Sequence, residues 1–196
     1  MKKLLLGLLL IAICASSIAQ EKKILNGFDG GMMLHTGYLK GEITPLNYTA
    51  KGMPMGIGGV IRLHLGKHIR VGSEGYVSTL HVEHNGSYSK LGWGGLLVDG
   101  YWPLGKVMPY VGLTIGGGGV TTCLMTEGNS HDWQSEEELV YNKSTLMIVD
   151  PFIGCDFIVS EALHITLKCD YICGFSKKEI HMPQGPRLYL GFIFYH

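Results

Sequence analysis

Two stretches near the C-terminal third restrict this chain more than any other feature. From Met147 every second residue is apolar or small, through Val149, Pro151, Ile153, Cys155, Phe157 and Val159. After a turn at Ser160-Glu161-Ala162 the pattern resumes through Leu163, Ile165, Leu167, Cys169, Tyr171, Cys173 and Phe175. The interleaved positions carry Asp150, Asp156, His164, Lys168 and Asp170. Side chains of a strand alternate between its two faces, so each strand has one unbroken apolar face and one face charged at its centre. Half-buried strands of soluble proteins alternate over only ~4–8 residues. Seven apolar positions in a row match instead the lipid-facing band of a membrane barrel, about 25 Å tall.

The same period extends through the chain, and helical periodicity is hard to find after residue 28. Strands are expected at about 29–40, 52–66, 67–83, 88–103, 106–124, 144–159, 162–176 and 186–196. The first, third, fifth and seventh connections (41–51, 84–87, 125–143 and 177–185) are the longer ones and carry loop chemistry such as Pro45, Asn85-Gly86, Gly128-Asn129 and Pro183. The even connections, at Gly66-Lys67, Pro103-Leu104-Gly105 and Ser160-Glu161, are tight. Short turns on one side and longer loops on the other, with an even strand number, describe an eight-stranded antiparallel up-and-down transmembrane β-barrel, all-β throughout. Both termini then fall on the periplasmic side.

Residues 1–19 read as an export signal: Lys2 and Lys3, an apolar run from Leu4 to Ile13, and Ser17-Ile18-Ala19 as a small-x-small cleavage site. The apolar run is shorter than the ~20 residues a spanning helix needs. Ile13 precedes Cys14, which argues against lipidation. The resulting division is a signal peptide over 1–19, a short periplasmic segment over 20–28 and a barrel over 29–196.

Composition excludes several classes. Lys+Arg and Asp+Glu both number 16, so no cationic excess exists to track nucleic-acid phosphates. An apolar content of 46% rules out a disordered chain. The 29 glycines open no helix, so neither a dinucleotide fingerprint nor a phosphate loop is present. Gly56, Gly58, Gly59, Gly92, Gly94, Gly95 and Gly116 to Gly119 fall inside strands, where they are expected to relieve bending strain or form bulges. Cys169 and Cys173, ~13 Å apart on one strand, cannot bridge. Cys155–Cys169 across the hairpin is the one local disulfide candidate, and free cysteines on an apolar face are the alternative.

The opening strand Gly30-Gly31-Met32-Met33-Leu34-His35-Thr36-Gly37-Tyr38 resembles that of small outer-membrane β-barrels of the OmpA/OmpX/OmpW type, in their short Bacteroidetes-like versions. Leu188, Leu190, Phe192 and Phe194 resemble the alternating terminal strand read by the barrel-insertion machinery, although His196 stands where an aromatic residue is common. The resemblance implies an outer-membrane location, with lipid and the insertion machinery as partners. It implies no activity.

Carried round the barrel, the alternation places a charge network in the lumen: Arg62, Arg70, Glu74, Asp99, Asp150, Asp156, Lys168, Asp170 and Arg187, with His64 and His164. Lys or Arg on the lipid face costs about 2–4 kcal/mol at mid-bilayer, which makes the choice of face strong. Eight strands leave a bore that side chains roughly fill, so a plugged interior is expected over an open pore. A narrow porin-like channel remains the alternative. No metal, cofactor or catalytic group is expected. His64-x-x-x-His68 and His81-x-x-His84 have helical ligand spacing on strands or turns, where their side chains diverge. A lipid-modifying barrel enzyme needs an outward or rim-facing His beside a Ser. His81 with Ser78 or Thr79 is the loose candidate, since His164 and Thr166 both point inward. Trp133, in the acidic fifth connection, is the candidate contact residue for an extracellular partner of unknown identity. The rival architecture is a soluble, exported lipocalin-type barrel with an apolar-ligand site inside. Asp156, Lys168 and Asp170 face inward in the first case and outward in the second.

Overall fold

A computed structural model describes residues 25–43, 48–81, 88–126, 138–175 and 180–196. The leader over 1–19, residues 20–24, Trp133, His84 and Asn85 lie outside the described residues. The elements are ten antiparallel strands: β1 (Leu25–Gly37), β2 (Leu39–Ile43), β3 (Tyr48–Gly52), β4 (Met55–Leu65), β5 (Ile69–His81), β6 (Tyr88–Tyr101), β7 (Val107–Thr126), β8 (Glu138–Ile158), β9 (Leu163–Phe175) and β10 (Ile180–Tyr195). Eight of them form the barrel in the order β1-β4-β5-β6-β7-β8-β9-β10, closed by β1 against β10 from Asp29↔Tyr195 to Gly37↔Arg187. Closure leaves no sheet edge within the wall, so its backbone hydrogen bonds run from strand to strand without need of water.

The polarity of the two faces is unambiguous. Ile61, Ile153, Leu190 and Phe192 are each more than half exposed on the outside, whereas Arg70, Asp150, Asp156 and Thr166 have no accessible surface. Ile153, Phe157, Leu167 and Tyr171 all stand on the outer face. A soluble barrel would need the reverse arrangement, so the lipocalin-type reading is excluded and the transmembrane barrel stands. Among the described residues no helix is long and apolar enough to cross a membrane, so the crossing is made by strands.

One end of the barrel carries three tight turns. At Gly66 and Gly105 the chain adopts φ of 64° and 67°, in the left-handed region that favours glycine. The third turn is closed by Ser160 N–H donating to Leu163 O at 3.0 Å. The other end is taller than the alternation alone suggests. The first connection is not a loop over 41–51: β2 and β3 pair as a hairpin from Leu39↔Gly52 to Ile43↔Tyr48, and β2 also pairs with the start of β10. The fifth connection shrinks likewise, because β7 and β8 stay paired to Thr126↔Glu138, beyond the last β6 partner at Tyr88↔Cys123. Strand β1 begins at Leu25, so 25–28 belong to the barrel and not to a leading segment.

The expected role of the glycines needs correction. Register runs unbroken through the glycines of β4, β5, β6, β7 and β8, so they form no bulges. Inward glycines instead lie beneath large side chains. Tyr76 covers Gly58, Phe152 covers Gly112, Tyr110 covers Gly154 and His35 covers Gly56, each in the space a Cβ would need. A narrow bore holds big interior groups only where the neighbouring strand gives up its own side chain.

Candidate functional site: the charged barrel interior

The interior side chains form two charged layers, one toward each end. In the layer near the tight turns, Arg62 Nε donates to Asp29 Oδ1 at 2.7 Å, and His64 Nε2 lies 2.5 Å from Asp29 Oδ2. Arg70 Nε donates to Asp99 Oδ1 at 2.7 Å, and its Nη1 donates to Asp156 Oδ2 at 2.9 Å. Arg62 reaches across to Asp156 at 3.5 Å, which joins the two arginine groups into one network. Tyr101 and Tyr110 present their rings to Arg70 at 4.8 and 4.9 Å, and Tyr195 stacks on His164 at 3.9 Å.

In the layer toward the long hairpins, Lys168 Nζ donates to both oxygens of Glu74, at 2.9 and 2.7 Å. Glu74 also accepts from Thr114 Oγ1 at 2.6 Å and from the Tyr76 hydroxyl at 3.1 Å. Arg187 grips Asp170 with two donors, at 3.0 and 2.7 Å, and touches Asp150 at 3.2 Å. Trp93 lies beneath the Arg187 guanidinium at 5.0 Å, and Phe152 beneath the Lys168 ammonium at 4.3 Å. Planar guanidinium forks suit paired carboxylates, and weak hydration lets them tolerate such burial.

Each of the nine charged residues assigned inward from the sequence therefore has its side chain inside, and all have an oppositely charged partner. Asp29 was missed, although it shares the inward parity of Met33 and His35 on β1. With it the buried set holds six carboxylates against the four cations Arg62, Arg70, Lys168 and Arg187, so the near balance expected from the sequence becomes an acidic excess. His64 is set against Asp29 through its Nε2. Phe152 lies inside, as its place between Asp150 and Asp156 indicates, whereas the interior aromatics Tyr76, Trp93, Tyr101, Tyr110 and Tyr189 were also missed. Their signal was present, because each shares parity with a charged or hydroxyl-bearing neighbour on its own strand.

Other candidates separate. Ser78 points inward and lies 2.6 Å from His35 Nε2, both buried, so it is turned away from the outer face, while the His81 side chain lies outside the described residues. His64 turns into the lumen, while His68 Nδ1 donates to the Tyr101 carbonyl at 3.1 Å, so that spacing makes no ligand pair. Among the described residues no group of His, Cys, Asp or Glu is arranged to hold a metal ion. Cys155 stands opposite Leu167 and Cys169 opposite Ile153, so the disulfide candidates are offset along the ladder; both are free, as is Cys173.

The sequence matches no family model and no curated protein. Solved structures share the fold. Neisserial surface protein A aligns with a TM-score of 0.58 at 13% identity, over 85% of this chain and 96% of that one. The N-terminal β-barrel domain of Pseudomonas aeruginosa OprF aligns at 0.53 and 13%, over 88% and 99%. Ail, the attachment invasion locus protein of Yersinia pestis, solved in complex with the heparin analogue sucrose octasulfate, aligns at 0.51 and 11%, over 87% and 99%. The chain has the architecture of the small outer-membrane eight-stranded barrels.

Proposed function

We propose that the protein is a non-enzymatic outer-membrane barrel with a closed, charge-paired core, serving envelope structure or surface interaction through the β2–β3 and β7–β8 hairpins. The tight turns and both barrel termini lie on the periplasmic side in this reading, and the tall hairpins face outward. The observation that carries it is the interior network: Arg62, Arg70, Lys168 and Arg187 are all spent on buried carboxylates and aromatic faces. A conducting pore keeps such groups in water, whereas here they fill the bore. Export by the 1–19 signal with cleavage after Ala19, and insertion directed by the β10 strand, belong to the same reading. The barrel then displays its loops to partners as a rigid scaffold, and Ail, of the same fold, is an attachment protein.

Two experiments test it. Folded protein in planar bilayers is expected to show no steady conductance, and a reproducible open level refutes the plugged core. Replacing 124–140 by a short turn is expected to preserve heat-modifiable gel migration while abolishing cell-surface attachment. Attachment unchanged by that replacement and by removal of the β2–β3 hairpin removes the surface role.

A further inference from the structure

Proline is rare inside a sheet because it brings no N–H to the ladder, yet three prolines stand at one height of this wall. Pro186 lies opposite Tyr38, whose amide donates to the Pro186 carbonyl at 3.0 Å and receives no bond in return. Pairing between β10 and the β1–β2 strand accordingly stops at Gly37↔Arg187 and resumes at Lys40↔Gln184. Alternation turns the backbone groups of Gly37 the other way, toward Pro54. Pairing on that side stops at Thr36↔Met55 and resumes at Leu39↔Gly52. Pro151 on β8 faces Tyr171, which is itself the β9 partner of Pro186, and interrupts the β8–β9 ladder in the same manner. The carbonyls of Gly37, Tyr38 and Tyr171 therefore lose their ladder donors along one row.

What stands above that row on β10, β2 and β3 is nearly a sheet of its own. Among the described residues its lateral edges carry no strand: β3 pairs with β2 alone, and the β9–β10 ladder ends at Ile172↔Gly185. β2 and β3 pack chiefly against each other and β10. Gly37 and Gly185 border the row, and the carbonyls of Pro186 and Tyr38 fill the space a Cβ would need at each. Leu39 turns inward between Gly52 and Gly185, so neither neighbouring strand sets a side chain beside it. It is 2% exposed and joins the apolar cluster that includes Leu91, Leu146, Ile148 and Ile172. Two residues below it Gly37 pairs with Arg187, so Leu39 stands over the Arg187–Asp170 pair. Among the described side chains of this small sheet, Leu39 alone is buried in the core.

A sheet joined to the barrel across a row of missing hydrogen bonds, and held down by one side chain, can turn as a unit. We propose that β2, β3 and residues 180–184 form a hinged flap over the outer mouth of the bore, turning on the row of Gly37, Pro54 and Pro186 with Leu39 as its latch. The inference rests on the outward placement of the β2–β3 hairpin and goes beyond it, because a partner that pulls on the hairpin then uncovers the charged layer beneath. Burial of a single leucine sets the closing force, so the open form is a minor state that modest differential binding populates.

Trp93, beside Arg187, reports on the flap. Trp102→Phe/Trp133→Phe leaves it as the one tryptophan of the full chain, and iodide quenching is measured on this parent folded in detergent. Adding Leu39→Ala is expected to raise the quenching constant about tenfold. Pro54→Val/Pro186→Val returns N–H donors to Gly37 and Tyr38, and in the Leu39→Ala background is expected to take back most of that rise. A hole left by the smaller side chain admits iodide whatever stands at 54 and 186, so a rise that survives both proline substitutions overturns the hinge. No rise with Leu39→Ala overturns the latch and the proposal with it. Each variant is first checked for heat-modifiable migration; should Leu39→Ala fail, Leu39→Val takes its place, and should the proline pair fail, each is used singly. Failure of the parent at the same check overturns the barrel reading instead.

Discussion

Lys168→Met tests whether the interior behaves as a dry, paired network. Lys168 is 2% exposed and donates twice to Glu74, and rings of Phe152, Tyr189 and Tyr76 surround its ammonium at 4.3, 5.1 and 5.5 Å. Methionine is close in length and fills most of the space, so lost packing contributes little. What remains is a buried Glu74 carboxylate with two hydroxyl donors, from Thr114 and Tyr76, and no cation. Breaking a buried pair from one side costs about 3–5 kcal/mol, because the surviving charge is uncompensated. Adding Glu74→Gln removes that charge while keeping an acceptor for Thr114 and Tyr76. The double variant is therefore expected to recover most of the loss, falling within about 1–2 kcal/mol of wild type. Urea unfolding in lipid vesicles, followed by tryptophan fluorescence, reads the difference, since Trp93 lies inside the barrel next to Arg187. Should Lys168→Met cost less than about 1 kcal/mol, the ammonium is water-screened and the bore is wet. Should the double variant be no better than the single, Glu74 is not the partner whose stranded charge sets the cost.

Three further outcomes follow from the same geometry. Ile153→Arg, at an outward position that is 61% exposed, should destabilise the vesicle-embedded barrel by about 2–4 kcal/mol, against about 0–1 kcal/mol for Phe194→Arg near the turn end; equal costs would remove the depth dependence of the bilayer. Gly58→Val should lose about 1–3 kcal/mol or fail to fold, because its Cβ meets the Tyr76 ring, while Gly92→Ala, with open space at that position, should stay within about 0.5 kcal/mol. Cys155, Cys169 and Cys173 should all label with a small uncharged thiol reagent after unfolding without reductant; protected thiols in that sample would mean a disulfide the ladder register does not allow.

How far this could be seen beforehand differs between features, and the reason is the range of the interaction involved. Which way a side chain points is a local property of a strand, with a period of two that a bilayer enforces on every residue. Inside or outside could therefore be assigned for Lys168, Asp170 and Arg187 from their neighbours alone. Asp29 and the interior tyrosines escaped for want of carrying that parity to the ends of each strand. The tall hairpins escaped for a different reason. Residues 41–43, 48–51, 125–126 and 138–143 fell in stretches whose turn residues read as loops, but pairing with β10, between β2 and β3 and between β7 and β8 carries the strands into them.

Partnership inside the bore was beyond reach of the alternation. Lys168 meets Glu74 across 94 positions of chain and Arg70 meets Asp156 across 86, because closure and stagger of the barrel decide which inward residues share a level. The same stagger sets Gly58 against Tyr76 and Gly154 against Tyr110, turning glycines that looked like bends into room for neighbours. It also stacks the outward rows of β10, β1, β4 and β5 around a recess walled by Leu190, Leu34, Ile57 and Val77. The alternation of the chain was enough to say what faces hydrocarbon. Only the closed ring, which brings distant strands to one height, says what each buried charge is held by.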